Sequence, residues 1–149
     1  MHLSSRCWTR STGYFWLALW AGSVVSCSSG DRIQLHPVGG RVLYKGSPVA
    51  RAMVVFHPLD GQTFEGLKPI AYTDDEGRFH LTTDSPGDGA PAGEYAVCVE
   101  LREKTRTGVE KVKGRNLLPA RYSKPESSGL RCRVLDGPNE LPPFILIDK

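Results

Sequence analysis

The chain has 149 residues, 23% of them charged, with 11 prolines, 16 glycines, four cysteines and a formal net charge of +3. Setting aside Met1 to Ser26, which hold two of the 19 basic residues and none of the 16 acids, leaves 123 residues with a charge near +1. That is chain enough for one hydrophobic core and not for two, and so small a charge excludes the clustered Lys and Arg surface that nucleic-acid binding needs.

The N-terminal segment reads as a targeting device. Arg6 and Arg10 precede an apolar run of 12 residues, Tyr14 to Val25, that ends in small side chains. This is the patterning of a signal peptide. As a helix the run would rise about 18 Å, short of a hydrocarbon core of about 30 Å, which argues against a stable spanning helix. At its end Val24, Val25, Ser26 and Cys27 match a bacterial lipobox, an aliphatic residue and two small or modest ones before an obligatory Cys. The chemistry needs a thiol there, because a diacylglyceryl group is attached through a thioether and cleavage then frees the Cys27 amine for acylation. Several acyl chains on one residue exceed the two-signal threshold for stable anchoring. The alternative is an ordinary secretory leader cut earlier, after Ser23, with Ala21 two residues upstream. The expected organisation is a cleaved signal peptide at 1–26, a lipidated tether at 27–33 and a folded domain at 34–149, exported and held to a membrane.

After Ser26 the chain carries all 11 prolines and 14 of the 16 glycines, about twice the usual share. No window of ten or more residues shows a helical stripe. The punctuation separates seven short runs rich in Val, Ile, Leu, Phe and Tyr, spaced as an all-β sandwich requires. Val38 to Tyr44 puts Val38, Gly40, Val42 and Tyr44 on one face with Arg41 pointing away, and Lys45, Gly46, Ser47 and Pro48 supply a turn. Ala52 to His57 turns Ala52, Val54 and Phe56 inward, and Pro58 closes it because proline cannot donate to a ladder. A crossover from Leu59 to Lys68 follows.

Pro69 to Thr73 and Gly77 to Thr83 flank Asp74, Asp75 and Glu76 as a hairpin, with Phe79 and Leu81 in the core. Asp84 to Ala92 is a loop. Gly93 to Leu101 alternates Tyr95, Val97, Val99 and Leu101 against Glu94, Ala96, Cys98 and Glu100, and is expected to be central. Arg102 to Arg115 is a solvated loop or hairpin tip, and Leu117 to Gly129 is irregular. Leu130 to Leu135 and Phe144 to Asp148 complete the set, joined by a turn at Asp136, Gly137, Pro138 and Asn139.

Taken in order, Val38 to Val42, Tyr44, Lys45, Gly46, Pro48 and Val49, then Val54, Phe56, His57 and Pro58, then Thr73, Asp74, Glu76, Gly77, Arg78 and Phe79, then Gly93, Glu94, Tyr95 and Val97 resemble the carboxypeptidase regulatory-like, transthyretin-like domain. Leu118, Pro119, Arg121, Tyr122, Ser128, Gly129 and Leu130, with Gly137 and Asn139, resemble the C-terminal signature of small planctomycete lipoproteins that carry it. The resemblance implies a seven-stranded Ig-like or prealbumin-like β-sandwich, an accessory, adhesive or structural role outside the cytoplasm, and a lipobox. It delivers no activity by itself.

Residue chemistry points to binding or structure rather than to catalysis. His36, His57 and His80 read as surface or turn histidines, since strand parity does not converge them on a metal and zinc needs a ligand cluster. Asp74, Asp75 and Glu76 could suggest calcium, but three consecutive acids in a tight turn lack its alternating ligand spacing. No serine sits in a Gly-X-Ser-X-Gly elbow. Hydroxyisourate hydrolases share the transthyretin-like fold and end in Tyr-Arg-Gly-Ser, whereas this chain ends Phe144, Ile145, Leu146, Ile147, Asp148, Lys149.

Cys98 and Cys132 are a candidate disulfide in an exported protein. Their parity opposes it, because Cys98 faces outward while Cys132 shares the face of Leu130 and Val134. No cofactor or metal is expected. The leading expectation is a non-catalytic, membrane-anchored envelope protein with a structural or binding role and an envelope protein or glycan as partner. The alternatives are a carbohydrate- or peptide-binding module that presents Tyr72, Phe64 and the Arg102 to Arg115 loop, and an envelope hydrolase.

Overall fold

The computed structural model describes residues 33–59, 68–103 and 114–148. These residues are all-β apart from two helical turns. All seven expected runs contain strands: β2 (Val38–Tyr44), β4 (Met53–Pro58), β5 (Ile70–Tyr72), β6 (Arg78–His80), β8 (Gly93–Glu100), β9 (Arg131–Val134) and β11 (Phe144–Leu146). Four two-residue strands join them, β1 (Leu35–His36), β3 (Ser47–Pro48), β7 (Ala90–Pro91) and β10 (Asn139–Glu140). Each is too short to show alternation, so only pairing with a neighbour defines it.

The stretch expected to be irregular holds a 3₁₀ turn at Ala120–Ser123 and a single-turn helix, α1 (Pro125–Ser128). Pro125 starts α1 without costing it a hydrogen bond, and Gly129 ends it in the left-handed conformation at φ 67°.

Four strands make an antiparallel sheet in the order β5-β4-β8-β9. Its longest ladder aligns Met53 with Glu100 and Pro58 with Tyr95, so β8 is central, as its alternation predicts. A second, mixed sheet is built on β2. One edge of β2 takes β10 and then β11 as parallel partners, and the other takes β6 and β3 as antiparallel partners. The turn into β3 is tighter than expected, with Lys45 and Gly46 both at positive φ (52° and 82°), the geometry a two-residue hairpin loop demands.

The hairpin around Asp74 forms, but its strands diverge. Backbone bonds tie Asp74 to Arg78 and Ile70 to Thr82, yet β5 ladders with β4 and β6 ladders with β2. The hairpin therefore bridges the sheets instead of lying within one. Asp74 holds the bend by accepting from the Glu76 and Arg78 amides at 3.0 and 2.7 Å.

The core lies between the inner faces. Phe56 and Tyr95, from the four-stranded sheet, meet at 5.6 Å between ring centroids, and Phe56 lies 6.2 and 6.3 Å from Phe79 and Phe144 of the β2 sheet. Val42, Val54, Leu81, Val97, Val99 and Leu146 fill the space around them, fully buried. Thr73, the buried polar residue where the chain crosses between sheets, is satisfied: its hydroxyl donates to the Val49 carbonyl and accepts from the Ala52 amide.

Candidate binding groove

The inner face of β2 uses its even residues, so Gly39 and Arg41 face outward. Register sets His80 of β6 beside Gly39 and Arg78 beside Arg41, and it sets Glu140 of β10 on the other side of Gly39. A Cβ added to Gly39 would lie 2.7 Å from Glu140 Oε2 and 3.4 Å from His80 Nδ1. The missing side chain is thus what lets the carboxylate and the imidazole settle over the strand, the close approach that an interior strand glycine signals.

Arg41, Arg78, His80 and Glu140, with Gly40, Leu141 and Pro143, line an open groove of about 510 Å³. A smaller depression of about 260 Å³ shares His80 and Glu140 with it and is lined as well by Pro37, Gly39, Gly87 and Asn139. The groove floor has its backbone engaged: Leu141 N donates to Gly39 O, Leu81 N to Val38 O and Val42 N to Gly77 O, at 2.8–2.9 Å. Of the charged groups, Arg41 Nε donates to the Glu76 carbonyl at 2.8 Å. The groove offers cationic donors, an imidazole, one carboxylate and an apolar wall. Its lining contains no serine, threonine or cysteine.

In the sequence, alternation turns Arg41 and His80 outward. Arg78 and Glu140 join them through pairings between strands far apart in the chain, and the one local signal was the Gly39–Gly40 pair inside a strand.

The other candidate residues are dispersed. His36 is a correction: expected at the surface, it is buried, 4% exposed. Pairing of β1 with β7 turns its ring inward, where Nδ1 accepts from the Gly137 amide at 2.9 Å and Nε2 lies 3.3 Å from Asp136 Oδ1. It pins the first strand to the turn before β10. His57 is half-buried, and burial, with Lys68 adding to it, pushes its pKa below 6.5. His80 is exposed, as expected. Among the described residues no group of three or more His, Cys, Asp or Glu could hold a metal ion. The Asp74 carboxylate is already occupied by backbone amides.

Cys98 and Cys132 are both free. Cys132 pairs with Tyr95 across the ladder and Cys98 with Val55, which puts them on opposite faces of one sheet. Facing outward does not expose Cys98, however: it is 4% exposed, because small residues at 96 and 98 let neighbours, α1 and the 3₁₀ turn among them, lie against β8. Burial pushes its thiol up to about 11, with the charges of Glu126 and Glu100 adding, and pushes Cys132 to about 12. Neither is a thiolate near neutral pH, so neither is a ready nucleophile.

At the C-terminal edge Asp148 accepts from Tyr44 and pairs with Lys45, and these bonds hold its carboxyl below the usual range. Tyr122 ties the 3₁₀ turn to the Ile147 backbone. Tyr72 is 66% exposed on β5. Cys27 and Phe64 lie outside the described residues, as does the centre of the Arg102 to Arg115 loop.

No family model matches the chain, and no curated protein matches it. Among solved structures, a 9R-lipoxygenase from Cyanothece PCC8801 is similar with a TM-score of 0.43 and 16% identity, over 76% of this chain and 16% of that protein. The chain spans about a sixth of that enzyme's length, and a likeness this weak carries no argument about fold or activity.

Proposed function

We propose that the protein is a non-catalytic cell-envelope lipoprotein, anchored through Cys27, with a seven-stranded β-sandwich of the carboxypeptidase regulatory-like, transthyretin-like type that serves a structural or binding role. The observation that carries the reading is the run Val24, Val25, Ser26, Cys27 at the end of the 12-residue apolar stretch. An all-β chain with aromatic contacts between two sheets is compatible with the sandwich. Of the two roles, binding draws support from the open groove beside Gly39. The envelope-hydrolase alternative finds no serine, threonine or cysteine among the residues that line that groove.

Expression of the full-length chain in a lipoprotein-processing host tests the anchor. The expected product is membrane-associated, begins at Cys27 and carries a diacylglyceryl thioether by mass spectrometry. Detergent releases it and salt does not, because the attachment is hydrophobic. Cys27→Ala yields an uncleaved precursor or a soluble form cut elsewhere. An unmodified terminus at Val24, or a wholly soluble wild-type protein, would overturn the reading.

A further inference from the structure

We propose that the groove over Gly39 binds a carboxylated sugar residue, a ligand of the uronic-acid class. The inference rests on the binding version of the function above and is independent of the anchor at Cys27. Arg41 and Arg78 are register partners on adjacent antiparallel strands, on the same outer face. Like charges directly opposite across a ladder repel. Among the described residues, no carboxylate lies within ion-pair distance of either guanidinium. An anion seated between them would remove the repulsion, and a planar carboxylate matches the fork that guanidinium presents.

The rest of the groove selects among anions. A peptide adds to a sheet through free strand edges, and the floor strand β2 offers none, with β10 and β11 on one edge and β6 and β3 on the other. A phosphate is held best by free backbone amides, and the amides that frame the floor are bonded. Glu140, in the same groove, opposes a second negative charge. A monoanionic sugar suits what remains: Glu140 accepts from hydroxyls, His80 donates or accepts, and Leu141 with Pro143 give a C–H ring face an apolar wall. The volume of about 510 Å³ falls among small-ligand sites, which run about 300–1,000 Å³.

The test is titration calorimetry of the full-length chain in detergent micelles with galacturonate, its neutral methyl ester and inorganic phosphate. Saturable binding of galacturonate is expected, at least about tenfold tighter than the methyl ester, with Arg41→Gln and Arg78→Gln each weakening it about tenfold, the worth of one charged hydrogen bond. Gly39→Ala, which displaces the Glu140 carboxylate, weakens it as well. Circular dichroism establishes that each variant is folded, and the methyl ester probes the same contact without a variant. Equal affinity for the ester, phosphate bound as tightly as the uronate, no saturable binding at millimolar ligand, or an undiminished affinity in a folded double arginine variant would each overturn the proposal. Any of these results beside an acylated Cys27 leaves the anchor standing, and a soluble, unacylated chain that binds the uronate leaves the groove standing.

Discussion

The two larger sheets use their outer faces for opposite ends. On the four-stranded sheet the central strand β8 carries Ala96 and Cys98 outward, both buried, so this face adds a second, smaller layer of packing beneath the polar surface. On the β2 sheet the corresponding face carries Arg41, Arg78 and His80 around an open groove, with Gly39 beside His80 and with charges that contribute nothing to the core. Small side chains serve both faces in different ways. On β8 they admit neighbouring segments, and at Gly39 the missing Cβ admits the carboxylate of Glu140. Stability resides between the sheets and on one side of them, which leaves the other side open.

The largest effect should come from the layer the sheets share. Val97→Asp or Phe56→Asp places a carboxylate where side chains are fully buried, at a cost of several kcal/mol against a total stability of about 5–15 kcal/mol. Both variants should be unfolded by circular dichroism, while Arg41→Gln on the open face stays within about 0.5 kcal/mol of wild type in a urea melt. An Arg41 variant as damaged as the core ones would reverse the assignment of faces.

The adjacent glycines of β2 sharpen the contrast within a single dipeptide. A Cβ on Gly40 would meet the Phe79 ring at 2.7 Å, inside the core, whereas on Gly39 it meets the movable end of Glu140. Gly40→Ala should cost about 1–3 kcal/mol by overpacking. Gly39→Ala should melt close to wild type and show its effect in the groove. Equal losses would mean that the outer face is as tightly built as the inner one.

Beside the groove, the loop before β7 depends on Asp88, which accepts from the Thr83, Asp84 and Ser85 amides at 2.7–2.9 Å. Burial pushes this carboxyl up, but those backbone bonds outweigh it and hold it below 3.8. A depressed carboxylate contributes stability that is present above its unfolded pKa and is lost as pH falls through the folded one. Asp88→Asn should therefore flatten the fall of stability below about pH 4, by under about 1 kcal/mol because the group is largely solvated. A variant with the wild-type acid profile would show that the loop draws nothing from this carboxylate.

The smallest effect concerns the covered face. With thiols raised to about 11 and about 12, Cys98 and Cys132 should react slowly with a thiol reagent at pH 7 and fast once unfolded, with no reductant needed. Fast labelling of Cys98 in the folded chain would show that β8 is open on its outer side. Failure of both to label after unfolding would reveal a disulfide.

Alternation is a local property, and it alone located the seven principal strands and the faces of Val42, Phe56, Phe79, Val97 and Cys132, because successive side chains on a strand must point to opposite sides. The turn chemistry of Lys45–Gly46 and of Asp74 to Gly77 was legible for the same reason: each is settled within four residues. Which strand lies beside which is decided by contacts across the whole chain. Only the tertiary structure therefore buried His36 through β1 and β7, split the Asp74 hairpin between two sheets, and gave β2 parallel partners from the C-terminal segment. The groove depends on that last step. Arg41 was visibly outward in the sequence, but its neighbours Arg78 and Glu140 come from 37 and 99 residues downstream, and no spacing rule connects them until β6 and β10 dock on either side of the same glycine.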